Sequence, residues 1–315
     1  MKLLLPFFAF CLLFLSCEET HKPIKQWSVA NEGVFSAQLS QNAENLLIGS
    51  YTHGASFWNT KKYQRLYNWN HAEGLFTPIF FSVLSKNGKI ALTADERDFA
   101  VWNTLSGESI GFWSASDEII NIDIDKNGDL AAISTKNHKV TIVELQHGGI
   151  ISQIVLPTNA DKIQLTDSAR FLLTTGSDLK LSVWDVLKKE VLYDIKLNQR
   201  AEYLKISEEY DLIFVQPYRK DASIYKLSTG EYISSINTKN KSVTHAEFTN
   251  EGKRLIFGTN TNSIELWQPL LSKKIKQWQL PKISKSQFSS DSILDIKAIN
   301  KRYLVISTDG FLYLL

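Results

Sequence analysis

The sequence predicts an all-β fold in which one short four-stranded unit recurs along the chain. The clearest copy is residues 176–185, where a polar turn leads into a strand that ends in Trp184 and Asp185. Weaker copies of that strand end are centred on Trp58, Trp102, Val143, Tyr225 and Trp267. When Trp184 is included, the six centres follow one another along the chain at intervals of 44, 41, 41, 41 and 42 residues. A period of about 40 to 45 residues with an aromatic residue at one phase is typical of the blades of a β-propeller.

Turn residues divide the chain after residue 22 into seven blades. Each complete blade is predicted as four short apolar runs separated by turns. The predicted strands of the first three blades are 35–40, 46–50, 55–60 and 64–69, then 79–84, 89–93, 99–103 and 109–113, then 120–124, 130–134, 140–144 and 150–155. Blades four to seven span 162–197, 203–236, 243–280 and 293–315. Because glycine and asparagine reach positive φ, hairpin turns are predicted at Asn87-Gly88, Asn127-Gly128 and Glu251-Gly252.

A repeated tetrapeptide predicts how the ring closes. Ile-Lys-Gln-Trp occurs at 24–27 and again at 275–278, in the outermost predicted strand of blade six. The last blade ends at 311–315, which is only its third strand. We therefore expect residues 23–29 to supply the fourth strand, so that the seven-bladed propeller is closed by an N-terminal strand that completes the last blade. Closure hides sheet edges that would otherwise promote aggregation.

The first residues predict a secretion signal instead of a part of the fold. A lysine at position 2 precedes the apolar run 3–15, which is too short to span a bilayer and has the proportions of a signal-peptide core. The run ends at residues 14–17, Phe-Leu-Ser-Cys, which resemble a bacterial lipobox with phenylalanine where leucine is usual. Cys11 is a poorer acylation site because a bulky phenylalanine precedes it. A plain secretory signal followed by a chance cysteine is the alternative interpretation.

The lipobox resemblance implies a membrane anchor and a place in the cell. It implies a signal peptide over 1–16, acylation of Cys17, and a short tether over 17–22 before the propeller at 23–315. Glu18 follows the cysteine, where aspartate is the usual signal for inner-membrane retention. The expected location is therefore the periplasmic leaflet of the outer membrane. About six residues separate Cys17 from the closing strand, or roughly 20 Å of extended chain, so the face at which that strand begins should look towards the membrane.

The repeats after residue 22 resemble the WD-repeat β-propeller family. In that family a histidine ahead of the first strand, a serine or threonine, a turn aspartate and the tryptophan form a buried tetrad of hydrogen bonds. Blade two is the nearest match, with His71, Thr93, Asp95 or Asp98, and Trp102. Blade four keeps Asp178 and Trp184 but has no matching histidine. The resemblance implies the fold, and it implies no particular partner because most blades lack the full motif.

Composition narrows the classes of function. The net charge is +2 and no run of lysine and arginine suggests a concentrated basic face, so no nucleic acid partner is expected. The six histidines share no metal-type spacing and the mature chain would keep one acylated cysteine, so neither a metal nor another cofactor is predicted. No Gly-x-Ser-x-Gly elbow is present. The simplest expectation is a monomeric ring without catalytic activity.

Polar residues on the predicted innermost strands could face the central channel. His245 and Glu247 lie on such a strand in blade six, and Asp123, Asp125 and Asp295 lie on or beside comparable strands. Water-filled channels need polar walls, and scattered carboxylates alone are weak evidence for catalysis. A channel-centred dehydrogenase- or lactonase-like enzyme is the alternative function.

A second group of residues predicts a partner-binding sector. The outer strand of blade one ends in Tyr-Asn-Trp-Asn-His at 67–71, and the loop 51–54 should lie on the same face. The longest predicted connection, 281–292, should lie there too, and long loops on a rigid scaffold often bind partners. The candidate contact residues are His53, Trp69, His71 and Phe288, and the alternative for His71 is a buried role in the tetrad. The predicted function is therefore a lipid-anchored, non-enzymatic platform that binds another envelope protein.

Overall fold

The computed structural model describes residues 20–30, 33–72, 74–281 and 292–315, and within them it shows a seven-bladed β-propeller. Seven antiparallel sheets, each of four strands or more, stand around a central channel. The innermost strand of each blade contacts the innermost strand of the next, and blade 7 contacts blade 1. The predicted fold class is therefore confirmed. The predicted signal peptide, Cys17 and Phe288 lie outside the described residues.

The first four blades consist of consecutive strands numbered from the channel outwards. In blades 1 and 2 they are β3 (Val34–Leu39), β4 (Asn45–Ser50), β5 (Ala55–Asn59) and β6 (Gln64–Trp69), then β7 (Phe81–Leu84), β8 (Ile90–Ala94), β9 (Asp98–Asn103) and β10 (Ser109–Ser114). In blades 3 and 4 they are β11 (Ile119–Ile124), β12 (Leu130–Thr135), β13 (Lys139–Glu144) and β14 (Ile150–Val155), then β15 (Ala160–Leu165), β16 (Phe171–Gly176), β17 (Lys180–Asp185) and β18 (Glu190–Lys196).

The last three blades follow the same order, with additions from the N-terminus. Blades 5 and 6 contain β19 (Ala201–Ser207), β20 (Leu212–Pro217), β21 (Ala222–Lys226) and β22 (Tyr232–Ile236), then β23 (Val243–Thr249), β24 (Arg254–Thr259), β25 (Ser263–Gln268) and β26 (Lys273–Gln279). Blade 7 contains β27 (Ile293–Ile299), β28 (Arg302–Ser307) and β29 (Phe311–Leu314), and the two N-terminal strands are β1 (Thr20–His21) and β2 (Lys25–Ser28). A 3-10 turn, Pro269–Leu271, precedes β26.

The hydrophobic core is divided among the seven interfaces between blades. Each of the seven buried clusters combines residues of two neighbouring blades, including the pair formed by blades 7 and 1. A blade buries both faces only against its neighbours, so the ring is stable as one unit. The described residues include no helix long and apolar enough to cross a membrane.

The N-terminal strand closes the ring as the repeated tetrapeptide predicts. β2 pairs antiparallel with β29, from Lys25 opposite Leu314 to Ser28 opposite Phe311. One further element was not predicted, because Thr20 and His21 were assigned to the tether. They form β1, which pairs parallel with β26 through Gln277 and Trp278. Blade 6 therefore has a fifth strand on its outer edge.

The innermost strands share a β-bulge that gives the channel its polar wall. In six blades the register shifts between the first and third residue of this strand. In blades 3 and 4 the first, fourth and sixth residues are buried in the blade, while the second, third and fifth are partly exposed towards the channel. The bulge thus points two consecutive side chains into the channel, such as Glu202 and Tyr203.

The two faces of the ring differ in the loops that they carry. We call the face with the loops between second and third strands, and with the connections between blades, the upper face. The lower face carries the loops between first and second and between third and fourth strands. Gly88 and Gly128 take φ of 72° and 81° in lower-face turns, as predicted for these positions.

Candidate partner-binding surface and central channel

The tetrad of blade 2 is present, and it explains His71. The Nδ1 atom of His71 lies 3.1 Å from Asp95 Oδ2, and its Nε2 atom lies 2.9 Å from Thr93 Oγ1. Trp102 Nε1 donates to the same threonine hydroxyl at 2.8 Å. Burial would raise the pKa of Asp95, but the interactions with His71 and backbone N–H groups hold this pKa below its ordinary value. The aspartate of the tetrad is therefore Asp95, while Asp98 accepts a bond from Ser114.

His71 and Trp69, which were predicted as partner contacts, are buried in the structure. The His71 side chain is only 2% exposed and both of its nitrogens are engaged in the tetrad. Trp69 is also 2% exposed, and its indole stacks on Trp102 with ring centroids 5.1 Å apart. Its Nε1 donates to the Gly107 carbonyl at 2.9 Å. Both side chains hold blades 1 and 2 together, so neither offers a side-chain surface to a partner.

Blade 4 keeps part of the same arrangement. Trp184 Nε1 donates to Thr174 Oγ1 at 3.0 Å, which matches the pair of Trp102 and Thr93 in blade 2. Asp178 accepts from the Lys180 backbone in the turn. The tryptophan–threonine pair is therefore shared by the two blades, whereas the histidine and its aspartate belong to blade 2.

His53 lies at the surface of the upper face, as predicted. Its ring lies 5.7 Å from that of Phe76, and its Nδ1 lies 2.6 Å from Thr52 Oγ1. The loop around His53 also touches the connection after blade 1, because a Cβ atom at Gly54 would lie 2.1 Å from Asn70 Oδ1. The structure thus brings together the two segments that the sequence placed on one face.

Around His53 the upper face carries exposed aromatic residues that sequence reasoning missed. Tyr51 is 58% and Phe76 64% exposed. Phe35 contacts both Tyr51 and Phe80, with ring centroids 5.5 and 5.4 Å apart. We call this group the upper aromatic patch, and it comprises Phe35, Tyr51, His53, Leu75, Phe76 and Phe80. Phe35 occupies the bulged second position of its strand, which is the one sequence signal that could have revealed its outward direction.

The central channel opens on the upper face as a cavity of about 970 Å³. Its walls carry charged residues of blades 4 to 7 that are largely paired with one another. Glu247 lies between Lys205 and Lys297, at 3.2 and 3.0 Å. Burial would raise the pKa of Glu247, but the two ammonium groups outweigh it and hold the pKa well below its ordinary value. Glu247 is therefore a charged structural group between three strands.

His245 pairs with Asp295 at the channel wall. Its Nε2 lies 2.9 Å from Asp295 Oδ1, and Asp295 Oδ2 accepts the Leu39 backbone N–H at 2.6 Å. Burial would raise the pKa of Asp295, but Lys297 and His245 hold it below its ordinary value. This aspartate thus links blade 7 to blade 1 as well as pairing with the histidine.

Similar links recur around the channel. Asp123 accepts the backbone N–H of Leu165 in the next blade at 2.7 Å, and Gln164 accepts that of Ile206 at 2.6 Å. Asp125, in contrast, bonds within its own turn and accepts the Leu130 backbone N–H at 2.9 Å. The acidic residues that the sequence suggested for the channel therefore stabilise contacts between neighbouring blades or within turns. Within the described residues no cluster of histidine, cysteine and acidic side chains is arranged to hold a metal ion.

Comparisons with known proteins neither extend nor contradict these observations. No protein-family model matches the sequence, and no curated protein matches it. The structure establishes a seven-bladed β-propeller, and the resemblance to WD repeats is carried by the tetrad of blade 2 and the tryptophan–threonine pair of blade 4.

Proposed function

We propose that this protein is a lipid-anchored platform of the cell envelope that binds another envelope protein through the upper aromatic patch. The observation that carries the proposal is the set of aromatic side chains at the surface of blades 1 and 2, where Phe35 contacts Tyr51 and Phe80, and His53 contacts Phe76. Exposed apolar groups of this kind mark interaction sites, and aromatic residues supply much of the binding energy in protein interfaces. Phe288, in the 281–292 connection, stays a predicted contributor.

The scaffold supports such a role because the patch is held by rigid elements. Phe35 belongs to the innermost strand of blade 1, Tyr51 lies in the loop that packs on Asn70, and Phe76 contacts His53 of that loop. Side chains that are already ordered lose little conformational entropy on binding. The patch can therefore bind an apolar surface of a partner without a large rearrangement.

The proposed location follows from the residues at the N-terminus. Acylation at Cys17 would attach the protein to a membrane, and Glu18 favours the outer membrane. The closing strand begins at the lower face, so the upper face with its aromatic patch would point into the periplasm. The partner is thus expected in the periplasm or at its surfaces.

A crosslinking experiment tests the proposed surface. Photo-crosslinking residues at Tyr51 and Phe76 should capture one dominant protein from intact cells, identified by mass spectrometry. The double variant Tyr51→Ala and Phe76→Ala should reduce co-purification of that protein at least tenfold, because an interface hot spot contributes about 2 kcal/mol or more.

Matched controls distinguish binding at this surface from nonspecific hydrophobic binding. Tyr232 and Leu187 are 55% and 76% exposed on blades 5 and 4, away from the patch. Alanine at both positions removes a similar amount of exposed apolar surface and should leave capture unchanged. Equal loss in the control variant, or full capture by the patch variant, would overturn the proposed surface.

An enzyme centred on the channel is the second candidate function, and the pairing of His245 with Asp295 in a large cavity is the observation that favours it. A histidine held by a carboxylate can act as a general base. His245→Gln should then abolish turnover of a quinone-linked or lactone substrate while partner capture persists. Under the platform proposal His245→Gln changes neither substrate turnover nor partner capture.

A further inference from the structure

Six exposed basic residues lie on three consecutive blades at the lower face. They occupy the lower ends of blades 6, 7 and 1, and we call them the basic rim. They are Lys25, Lys62, Arg254, Lys273, Lys301 and Arg302. Within the described part of the chain none of the six has an ion-pair partner, although Lys25 donates to the Tyr63 hydroxyl at 2.9 Å. Two other lysines nearby are neutralised, since Lys61 pairs with Glu44 and Lys253 with Glu251.

The charge of the lower face changes sharply at the neighbouring blade. The corresponding loops of blade 5 carry the acidic residues Glu208, Glu209, Asp211 and Glu231. The lower ends of blades 6, 7 and 1 therefore carry unpaired positive charge, although the net charge of the protein is only +2. The same sector also exposes apolar side chains, among them Ile24, Leu270 and Leu271, the last of which is 71% exposed. Basic and apolar groups side by side are typical of surfaces that lie against anionic lipid.

The N-terminal chain reaches the propeller at this sector. β1 runs parallel to β26, with Thr20 opposite Gln277 and His21 opposite Trp278. Because the directions agree, β1 begins on the side of β26 nearer Lys273, at the lower face. Thr20 is three positions after Cys17, which is about 10 Å of extended chain. The distance along β26 from Gln277 back to Lys273 is about 13 Å, so an acyl chain on Cys17 would enter a membrane close to the basic rim.

We infer that the basic rim is a second membrane contact, which lies against anionic phospholipid headgroups beside the acylated cysteine. The tether geometry of this inference rests on the acylation of Cys17 in the proposed function. The charge of the basic rim does not depend on that acylation. The short tether keeps the rim within reach of the headgroups, so electrostatic attraction acts over less than the screening length of about 8 to 10 Å. The contact fixes the rotation of the ring and turns the upper aromatic patch away from the membrane.

A fluorescent label at the rim tests this contact. The full precursor carrying Leu271→Cys is expressed in a host that processes lipoproteins, purified, labelled with an environment-sensitive dye and placed in vesicles. Cys17 is the other cysteine of the mature chain and its thiol is blocked by acylation. In phosphatidylcholine vesicles that contain phosphatidylglycerol, the dye emission should shift to the blue and be quenched by nitroxide-labelled lipid. In phosphatidylcholine alone both changes should be lost.

Charge reversal supplies the matched comparison. The triple variant Lys273→Glu, Lys301→Glu and Arg302→Glu should abolish the shift and the quenching. The control reverses three exposed basic residues on the lower face of blade 4, which are Arg170, Lys188 and Lys189, and it should behave like the parent. The inference is overturned if the dye response is the same with and without phosphatidylglycerol. It is also overturned if the control variant abolishes the response as fully as the triple variant does. A response that grows with protein concentration instead would indicate a second copy of the chain at the rim, and it would also overturn it.

Mass spectrometry of the N-terminal peptide keeps the two proposals separate. An acylated protein whose label does not respond overturns the rim contact and leaves the anchor intact. If the protein is unacylated, the label is placed again in a variant with Cys11→Ser and Cys17→Ser, and a response to phosphatidylglycerol there supports the rim contact and overturns the anchor. An unacylated protein without a response overturns both. The capture experiment with Tyr51 and Phe76 does not depend on any of these results.

Discussion

Replacing Trp27 with alanine tests the strand that closes the ring. Trp27 lies in β2, which supplies the fourth strand of blade 7. Its indole packs on the hydrophobic cluster between blades 7 and 1 and is only partly buried. It also meets Tyr63 edge-on, with ring centroids 4.9 Å apart. The side chain therefore joins the first and last blades, and its loss should weaken the closure of the ring.

The size of the effect follows from these contacts. A buried tryptophan removes about 150 to 250 Å² from water, and half of that at about 25 cal/mol per Å² gives about 2 to 3 kcal/mol. The edge-on pair with Tyr63 adds about 0.5 to 1.5 kcal/mol. The indole Nε1 is buried without a hydrogen-bond partner among the described residues, so its removal recovers about 1 kcal/mol. We expect Trp27→Ala to lower the free energy of unfolding by about 2 to 3 kcal/mol.

Guanidinium chloride denaturation, followed by far-ultraviolet circular dichroism, measures this free energy. Ile24→Ala is the matched control, because Ile24 adjoins the same strand and is 62% exposed. The control should stay within about 0.5 kcal/mol of the parent protein. If Trp27→Ala is equally close to the parent, then β2 does not hold the ring closed and the reasoning fails.

Three further predictions concern the tetrad, the channel and the N-terminus. His71→Ala removes one hydrogen bond each from Asp95 and Thr93 and leaves a cavity at a buried site, so it should cost about 2 to 4 kcal/mol of unfolding free energy, whereas alanine at the exposed His147 should cost almost nothing, as thermal denaturation would show. Burial raises the pKa of Asp123 to about 6 from 3.8, so the folded state keeps a proton that the unfolded state loses, and stability falls as the pH rises from about 4 to 6. Asp123→Asn should therefore exceed the parent by about 1 to 3 kcal/mol at pH 7 and match it near pH 4 in denaturant titrations, and a constant difference across this range would contradict the assignment. Globomycin should cause unprocessed precursor to accumulate and Cys17→Ser should release the protein from membranes, while a Cys17→Ser protein that still fractionates with membranes would count against the anchor.

The sequence by itself determined the repeat and the way the ring closes. The regular spacing of the aromatic strand ends is local information that each blade carries in its own residues, so the number of blades could be counted. The repeated Ile-Lys-Gln-Trp identified the missing fourth strand of blade 7, and β2 confirms it. The tetrad in blade 2 was also predicted, because the residue types and their order are set within one repeat. Only the choice between Asp95 and Asp98 needed the structure.

The tertiary structure decided which of the predicted residues reach the surface. Trp69 and His71 have the composition of a binding cluster, yet the interface between blades 1 and 2 buries both. The upper aromatic patch combines residues that are as far apart in the chain as Phe35 and Phe80, so no single stretch of sequence displays it. The same holds for the basic rim, whose members come from both ends of the chain. Burial and proximity depend on how seven blades pack around an axis, and a pattern within one repeat does not contain that information.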